Sequence, residues 1–115
     1  MNISIHASGI ELTDMIRDYA EQKMSSLEKY FDRITSISID VGLTTTHHHK
    51  GKIFYAEVNV RIPQGELIRV RKETEDLYKS IDKVRDHLKV ELEEAKEKKR
   101  AKDRKVLREI KGYQE

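Results

Sequence analysis

Nine basic residues stand between Lys96 and Lys111 against three acidic ones, a local net charge of +6. A second run, residues 50–72, holds six against two, net +4. Lysine and arginine at this density suit one kind of chemistry: they neutralise phosphates and release the counterions condensed on a nucleic acid. The whole chain has 23 basic and 21 acidic residues, formal net charge +2, and residues 11–32 are net -3, so the positive charge is concentrated in particular segments. For either segment alone, solvated charge that keeps a small domain soluble is the competing explanation.

Other chemistries find little support. His47-His48-His49, followed by Lys50-Gly51-Lys52, places three adjacent imidazoles pointing in different directions, whereas zinc ligands come at helical spacing or from separate segments. A solvated hairpin loop that touches phosphate when protonated is the better reading, and no metal site is expected. The chain has no cysteine, which excludes disulfides, thiolate metal sites and cysteine nucleophiles. Its serines, from Ser4 and Ser8 to Ser80, lie in no nucleophile-elbow context, and its glycines form no phosphate-cradling loop. Glu75-Asp76 and Glu93-Glu94 are explained by a helix start and a helix surface. The expectation is a protein without catalysis, cofactor or small-molecule substrate.

The elements that must position the basic residues follow from periodicity. The 115 residues make one domain, 38% charged, with a mean hydropathy of -0.76. No stretch approaches the ~20 apolar residues of a membrane span. The N-terminus has neither the basic start nor the apolar run of a signal peptide, so no membrane association and a cytoplasmic location are expected. Ile3 and Ile5 alternate with polar residues as in a short strand ended by Gly9. Thr13 is a candidate N-cap, and the apolar stripe Ile16, Tyr19, Ala20, Met24, Leu27, Tyr30 and Phe31 predicts a helix of roughly five turns. From Ile34 the period becomes two, with Ile37, Ile39, Val41 and Leu43 on one face. A second strand places Phe54, Ala56, Val58, Val60 and Ile62 inward and Tyr55, Glu57, Asn59 and Arg61 outward. Pro63-Gln64-Gly65 reads as a turn before a short final strand with Ile68 and Val70 inward, and the short links favour an antiparallel meander.

Thr74 is the next N-cap candidate, and Leu77, Ile81, Val84, Leu88, Leu92 and Ala95 give the stripe of a second helix. Beyond Ala95 the stripe ends. The composition of 96–115 supports either an exposed helical rod or an unstructured tail, and fraying is expected when no partner is bound. The chain thus divides into a β-α-β-β-β-α domain, 1–95, and a basic C-terminal helical extension, 96–115. The fold class is α+β, a two-layer sandwich of a four-stranded sheet with both helices on one face, similar in element order to a double-stranded-RNA-binding domain with an added strand. Tyr55 points outward beside the sheet arginines, where it is a candidate for stacking on a base.

Two segments carry a family resemblance. Leu27-Glu28-Lys29-Tyr30-Phe31-Asp32-Arg33-Ile34, and Glu75-Asp76-Leu77-Tyr78-Lys79-Ser80-Ile81-Asp82-Lys83-Val84 with its aspartate-hydrophobic-tyrosine and isoleucine-aspartate pattern, resemble the ribosome hibernation promoting factors. This is the sigma-54 modulation protein family, which includes the ribosome-associated inhibitor A proteins. Ile10-Glu11-Leu12-Thr13 agrees, and the likeness runs from Met1 to about residue 99 in the same element order.

The resemblance implies a translation inhibitor that binds small-subunit rRNA in the channel of mRNA and the A- and P-site tRNAs and keeps idle ribosomes inactive. It implies the small ribosomal subunit as partner, through rRNA or ribosomal proteins, and no stable homo-oligomer. Binding to structured rRNA would go mainly through phosphates and shape. By position, Arg17, Lys23, Lys29 and Arg33, on or just after the first helix, and Lys79, Lys83, Lys89 and Lys96, on the second, are the candidate rRNA contacts; Arg69, Arg71 and Tyr55 are secondary candidates. The family usually has a lysine and an arginine where this chain has His87 and Val90, and residues 75–94 are net -3, so the basic tail is expected to compensate by contacting rRNA or a ribosomal protein. The ribosome-pairing domain of long members is not in this sequence, which makes a short form the expectation. Two other readings stay open: a general structured-RNA-binding module, and a protein-interaction adaptor that uses the charged C-terminal helix.

Overall fold

A computed structural model of the chain describes residues 1–44, 51–63 and 67–113. His47, His48 and His49, and Gln64 and Gly65 of the expected turn, lie outside the described residues. Strand β1 (Asn2–Ser8), helix α1 (Asp14–Ser25), strands β2 (Ser36–Leu43), β3 (Phe54–Arg61) and β4 (Leu67–Thr74), and helix α2 (Leu77–Tyr113) follow in that order. The sheet has the spatial order β1-β2-β3-β4, an α+β architecture as expected. Neighbours β2, β3 and β4 pair antiparallel, whereas β1 pairs with β2 parallel, Ile3 opposite Ile37 and Ile5 opposite Ile39. A parallel pair needs a crossover, and α1 supplies it, which also fixes α1 on the sheet face that α2 shares.

The core fills the space between sheet and helices. Ala20 and Met24 of α1, Ile37, Ile39 and Val41 of β2, Val58 and Val60 of β3, and Ile81, Val84, Leu88 and Leu92 of α2 are all fully buried. Each such branched side chain contributes about 1.5–3 kcal/mol by leaving water. The stripe that predicted α2 is therefore the stripe that packs, and Ala95 is its last, half-buried member.

Three local expectations are corrected. The first helix is shorter than five turns: the α-helix has 12 residues, and a 3-10 turn follows at Ser26–Lys29. The Ser25 and Ser26 hydroxyls donate to the carbonyls of Gln22 and Lys23 at 3.1 and 2.6 Å, a local competition that favours the tighter turn. The final strand is longer than expected, eight residues, and takes in Thr74 opposite Phe54. Thr74 therefore does not cap α2. The Asp76 carboxylate does so, accepting from the Tyr78 and Lys79 amides at 2.9 and 3.4 Å. Thr74 is buried instead: its hydroxyl lies 2.8 Å from that of Ser80, which also reaches the Phe54 carbonyl at 3.0 Å, tying the first turn of α2 to β3 and β4. Thr13 caps α1 as expected, accepting from the Ile16 amide at 3.2 Å.

Gly42 permits the close approach of β1. A Cβ there would stand 2.0 Å from the Ser8 carbonyl oxygen and 3.1 Å from the Tyr55 ring, so no larger residue fits without moving backbone. Past Ala95, α2 continues away from the sheet to Tyr113; its 37 residues correspond to about 55 Å of helix. The molecule measures 67 × 28 × 19 Å as a result.

Candidate nucleic-acid interface

The seam between α1 and α2 is built from tyrosines and the charges around them. Tyr19 of α1 donates to the Asp82 carboxylate at 2.5 Å and meets Tyr78 edge-on with ring centroids 4.9 Å apart. That hydrogen bond, with burial and the carboxylate charge behind it, pushes the Tyr19 hydroxyl up to about 12. Lys23 pairs with the same carboxylate at 3.4 Å and lies 5.4 Å from the Tyr19 ring centroid.

One turn further along, Tyr30 collects three cations. Lys29, Arg85 and Lys89 stand 5.9, 5.5 and 5.2 Å from its ring centroid. Arg85 also donates to the Tyr30 hydroxyl at 3.0 Å, to Ser26 Oγ at 3.2 Å and to Asp86 at 3.1 Å. The Asp86 carboxylate, and Tyr30 after it, hold this guanidinium above its ordinary value against the opposing effect of burial. Arg85 is thus a strut between α2 and the 3-10 turn. Lys89 and Lys96 follow it on the same flank of α2, and with Arg100 they recur at the four- and seven-residue spacings that stack side chains on one helix face. Lys29, Lys96 and Arg100, with Tyr30 and the carboxylates Glu93 and Glu97, line a shallow groove of about 340 Å³.

The structure therefore gathers Lys23, Lys29, Lys89 and Lys96 along one seam. Lys79 and Lys83 lie next to it on the exposed crest of α2, one turn apart. Lys79 is 3.4 Å from Glu75, whose carboxyl is held below the usual range by a backbone hydrogen bond and then by Lys79. Lys83 makes no ion pair with another described residue. The remaining candidates are elsewhere. Arg17 is two residues, roughly 200° of helix, from Tyr19 and so turns away from α2. Arg33 lines a separate cleft with Lys98, Lys99 and Lys102 of α2.

Arg69 and Arg71 occupy the other face of the sheet. Arg69 donates to Asn59 at 2.8 Å, and Arg71 pairs with Glu57 and Glu73 at 3.6 and 3.1 Å. Tyr55 is on that face as expected but is 7% exposed, with the Arg71 guanidinium 4.2 Å from its ring centroid and its hydroxyl on Asp40 at 3.0 Å. Burial, aided by Asp40, raises the Tyr55 hydroxyl above its ordinary value. A base could stack there only by displacing Arg71. His87 is 3.2 Å from Glu91, and Val90 is 51% exposed, so these two positions put no permanent cation on the crest. Among the described residues no group of three or more His, Asp and Glu is placed to hold a metal ion, and no helix is long and apolar enough to cross a membrane.

The profile of the family described as Sigma 54 modulation protein / S30EA ribosomal protein matches residues 3–100. The chain belongs to this family. It is 37% identical over 98 residues to a ribosome hibernation promoting factor of Azotobacter vinelandii, a match covering 85% of each chain. Two solved structures share the fold. The Protein Y N-terminal domain of Thermus thermophilus superposes with a TM-score of 0.65 at 37% identity, covering 82% of this chain and 98% of that one. A ribosomal subunit interface protein of Coxiella burnetii superposes with a TM-score of 0.72 at 23% identity, covering 84% and 98%.

Set on this Sigma 54 modulation / S30EA fold, three residues of the seam had no place among the sequence candidates: Tyr30, Arg85 and Arg100. Tyr30 falls in the apolar stripe of the first helix, and its place beside Lys29 is the one sequence signal of its role. Arg85 and Arg100 share the helical row of Lys89 and Lys96, a spacing signal that charge counting over segments overlooks.

Proposed function

We propose that the protein is a hibernation factor: it binds small-subunit rRNA in the channel of mRNA and the A- and P-site tRNAs and keeps idle ribosomes inactive. The observation that carries this reading is the 37% identity over 98 residues to a ribosome hibernation promoting factor. The cationic seam supports it by offering Lys29 and Lys89 around an aromatic ring and Lys96 in the groove beside it, with Lys79 and Lys83 on the adjoining crest. Such a surface reads phosphate position and RNA shape rather than base sequence. Inhibition then needs occupancy alone. The protein acts in the cytoplasm, without catalysis, and Arg17, Arg33, Arg69, Arg71 and Tyr55 are peripheral to the main contact.

Co-sedimentation with vacant ribosomes and separated subunits, at low and moderate salt, tests this. The expected result is binding to the small subunit that mRNA and initiator tRNA displace, weakened by Lys79→Glu with Lys83→Glu. Equal affinity for unrelated RNA duplexes would make the protein a general RNA-binding module. Binding that survives nuclease and ignores salt would make it a protein adaptor.

A further inference from the structure

Residues 101–113 of α2 lie beyond the family match, and residues 101–105 are all exposed. Between 96 and 105 the helix carries seven basic residues against Glu97 and Asp103, and Ala101 is its only apolar residue. Among the described residues one ion pair belongs to this stretch, Arg100 with Glu97 at 3.3 Å. Six of the seven cations fall into two helical rows, and Lys99 continues the line of Leu92 and Ala95. Lys96, Arg100 and Arg104 continue the flank that begins with Arg85 and Lys89, with Glu93 the carboxylate between Lys89 and Lys96, so the arm extends the seam. Lys98, Lys102 and Lys105 run along another flank, four and three residues apart. At the base of this second row Arg33, from the α1–β2 link, joins Lys98, Lys99 and Lys102 around a cleft of about 420 Å³, together with the carboxylates Glu91, Glu94 and Asp103.

We propose that this arm, residues 96–105 of α2 with Arg33 at its base, is an RNA-contacting surface that continues past the end of the family match and grips duplex phosphates there. A helix that docks on protein needs an apolar stripe, and the core of a protein interface is depleted of charge. The arm has no such stripe over these residues. Its cations lie on more than one flank with few carboxylates to neutralise them, the arrangement that draws a polyanion and gains from counterion release. A dense row of like charges also repels itself along the helix, and phosphates relieve that repulsion. The proposal rests on the hibernation-factor reading for the RNA being ribosomal, but not for the arm's affinity for RNA.

The test compares the full chain with a variant carrying Lys98→Gln, Lys102→Gln and Lys105→Gln. Glutamine keeps helix propensity close to that of lysine, and circular dichroism checks that the helix is retained. Two probes are used over a salt series: a 20-base-pair RNA duplex and purified small ribosomal subunits. The expected result on the duplex is a salt slope smaller by about 2 to 3 and affinity weaker by about tenfold or more at moderate salt. An unchanged slope and affinity on the duplex overturns the arm, as does no duplex binding by the natural chain. If neither protein binds small subunits while the duplex slope still falls, the hibernation reading fails and the arm stands.

Discussion

Along one uninterrupted helix, residues 77–94 carry four basic side chains against five acidic ones, whereas residues 96–111 carry nine against three. In the first stretch two of the four cations are paired with carboxylates, Lys79 with Glu75 at 3.4 Å and Arg85 with Asp86 at 3.1 Å, while Asp82 takes Lys23 from α1 at 3.4 Å. Arg85 and Asp82 in particular spend their charge on joining α2 to the layer beside it. In the second stretch the rest of the fold reaches the first turns only at the cleft that Arg33 and Ile68 share with Lys98 and Lys102, and residues 101–105 are exposed, with seven basic residues against two acidic ones over 96–105. Charge that fixes a helix in a fold and charge that offers a surface to an anion are therefore separable here by what each side chain touches. The number of basic residues alone does not separate them.

Substitution of one leucine in each stretch tests whether the arm is packed. Leu88 is fully buried in the first stretch, and Leu107 is 58% exposed in the second. Leu88→Ala is expected to cost about 2–5 kcal/mol and Leu107→Ala less than about 0.5 kcal/mol, read from urea unfolding midpoints. Comparable losses would mean that the arm has a partner surface on its own chain.

The two stretches also differed in how much of them could be read from residues alone. Ile37, Ile39 and Val41, Val58 and Val60, and the row from Leu77 to Leu92 announced their elements because burial on one face imposes a period. Thr13 announced its cap because the capping side chain sits next to the first apolar turn. The end of α1 was hidden, since Leu27, Tyr30 and Phe31 continue the stripe while the serine hydroxyls retune the backbone beneath it. Thr74 and Asp76 both have capping side chains, and only the pairing of Thr74 with Phe54 decides between them. The parallel pairing of β1 depends on contacts more than thirty residues apart, for which no local pattern exists. Within the site, Lys29, Lys89 and Lys96 were legible as candidates, but the role of Arg85 depends on Ser26 and Tyr30, which are 59 and 55 residues away in sequence.

Arg85 sharpens the comparison at the next scale. Arg85→Ala removes donors to Ser26 and Tyr30 and leaves the part-buried Tyr30 hydroxyl without that partner, an expected cost of about 2 kcal/mol. Lysine cannot hold both oxygens with one ammonium, so Arg85→Lys should recover little of it. Lys89→Ala, which loses a ring contact alone, should cost about 0.5–1 kcal/mol. If Arg85→Ala proved as mild as Lys89→Ala in thermal unfolding, Arg85 would belong with the surface cations.

A smaller effect comes from Tyr19 at alkaline pH. Its hydroxyl is pushed from the ordinary 10.0 up to about 12 because Asp82 accepts its proton in a hydrogen bond and repels the phenolate. The folded form thus binds this proton more tightly than the unfolded form does. Its contribution is complete below pH 10 and falls as pH rises toward 12. Tyr19→Phe is expected to cost about 0.5–1.5 kcal/mol at neutral pH and to flatten that alkaline decline. Tyrosinate absorbance during a pH titration gives a direct reading, and a Tyr19 that ionised with the exposed tyrosines would remove the Asp82 bond from the account of the seam.

The smallest effect on stability belongs to Lys83, and it separates stability from binding. Lys83 is exposed on the crest and makes no ion pair with another described residue, so Lys83→Ala should leave the unfolding midpoint within about 0.5 kcal/mol of the natural chain. If the crest meets RNA through phosphates, the same substitution should lower the salt slope of small-subunit binding by about 0.7–0.9, the value of one contact. An unchanged slope would move the interface away from the crest. The contact would then lie on the flank of Lys29, Lys89 and Lys96, where neighbouring carboxylates Glu93 and Glu97 limit how many phosphates can approach.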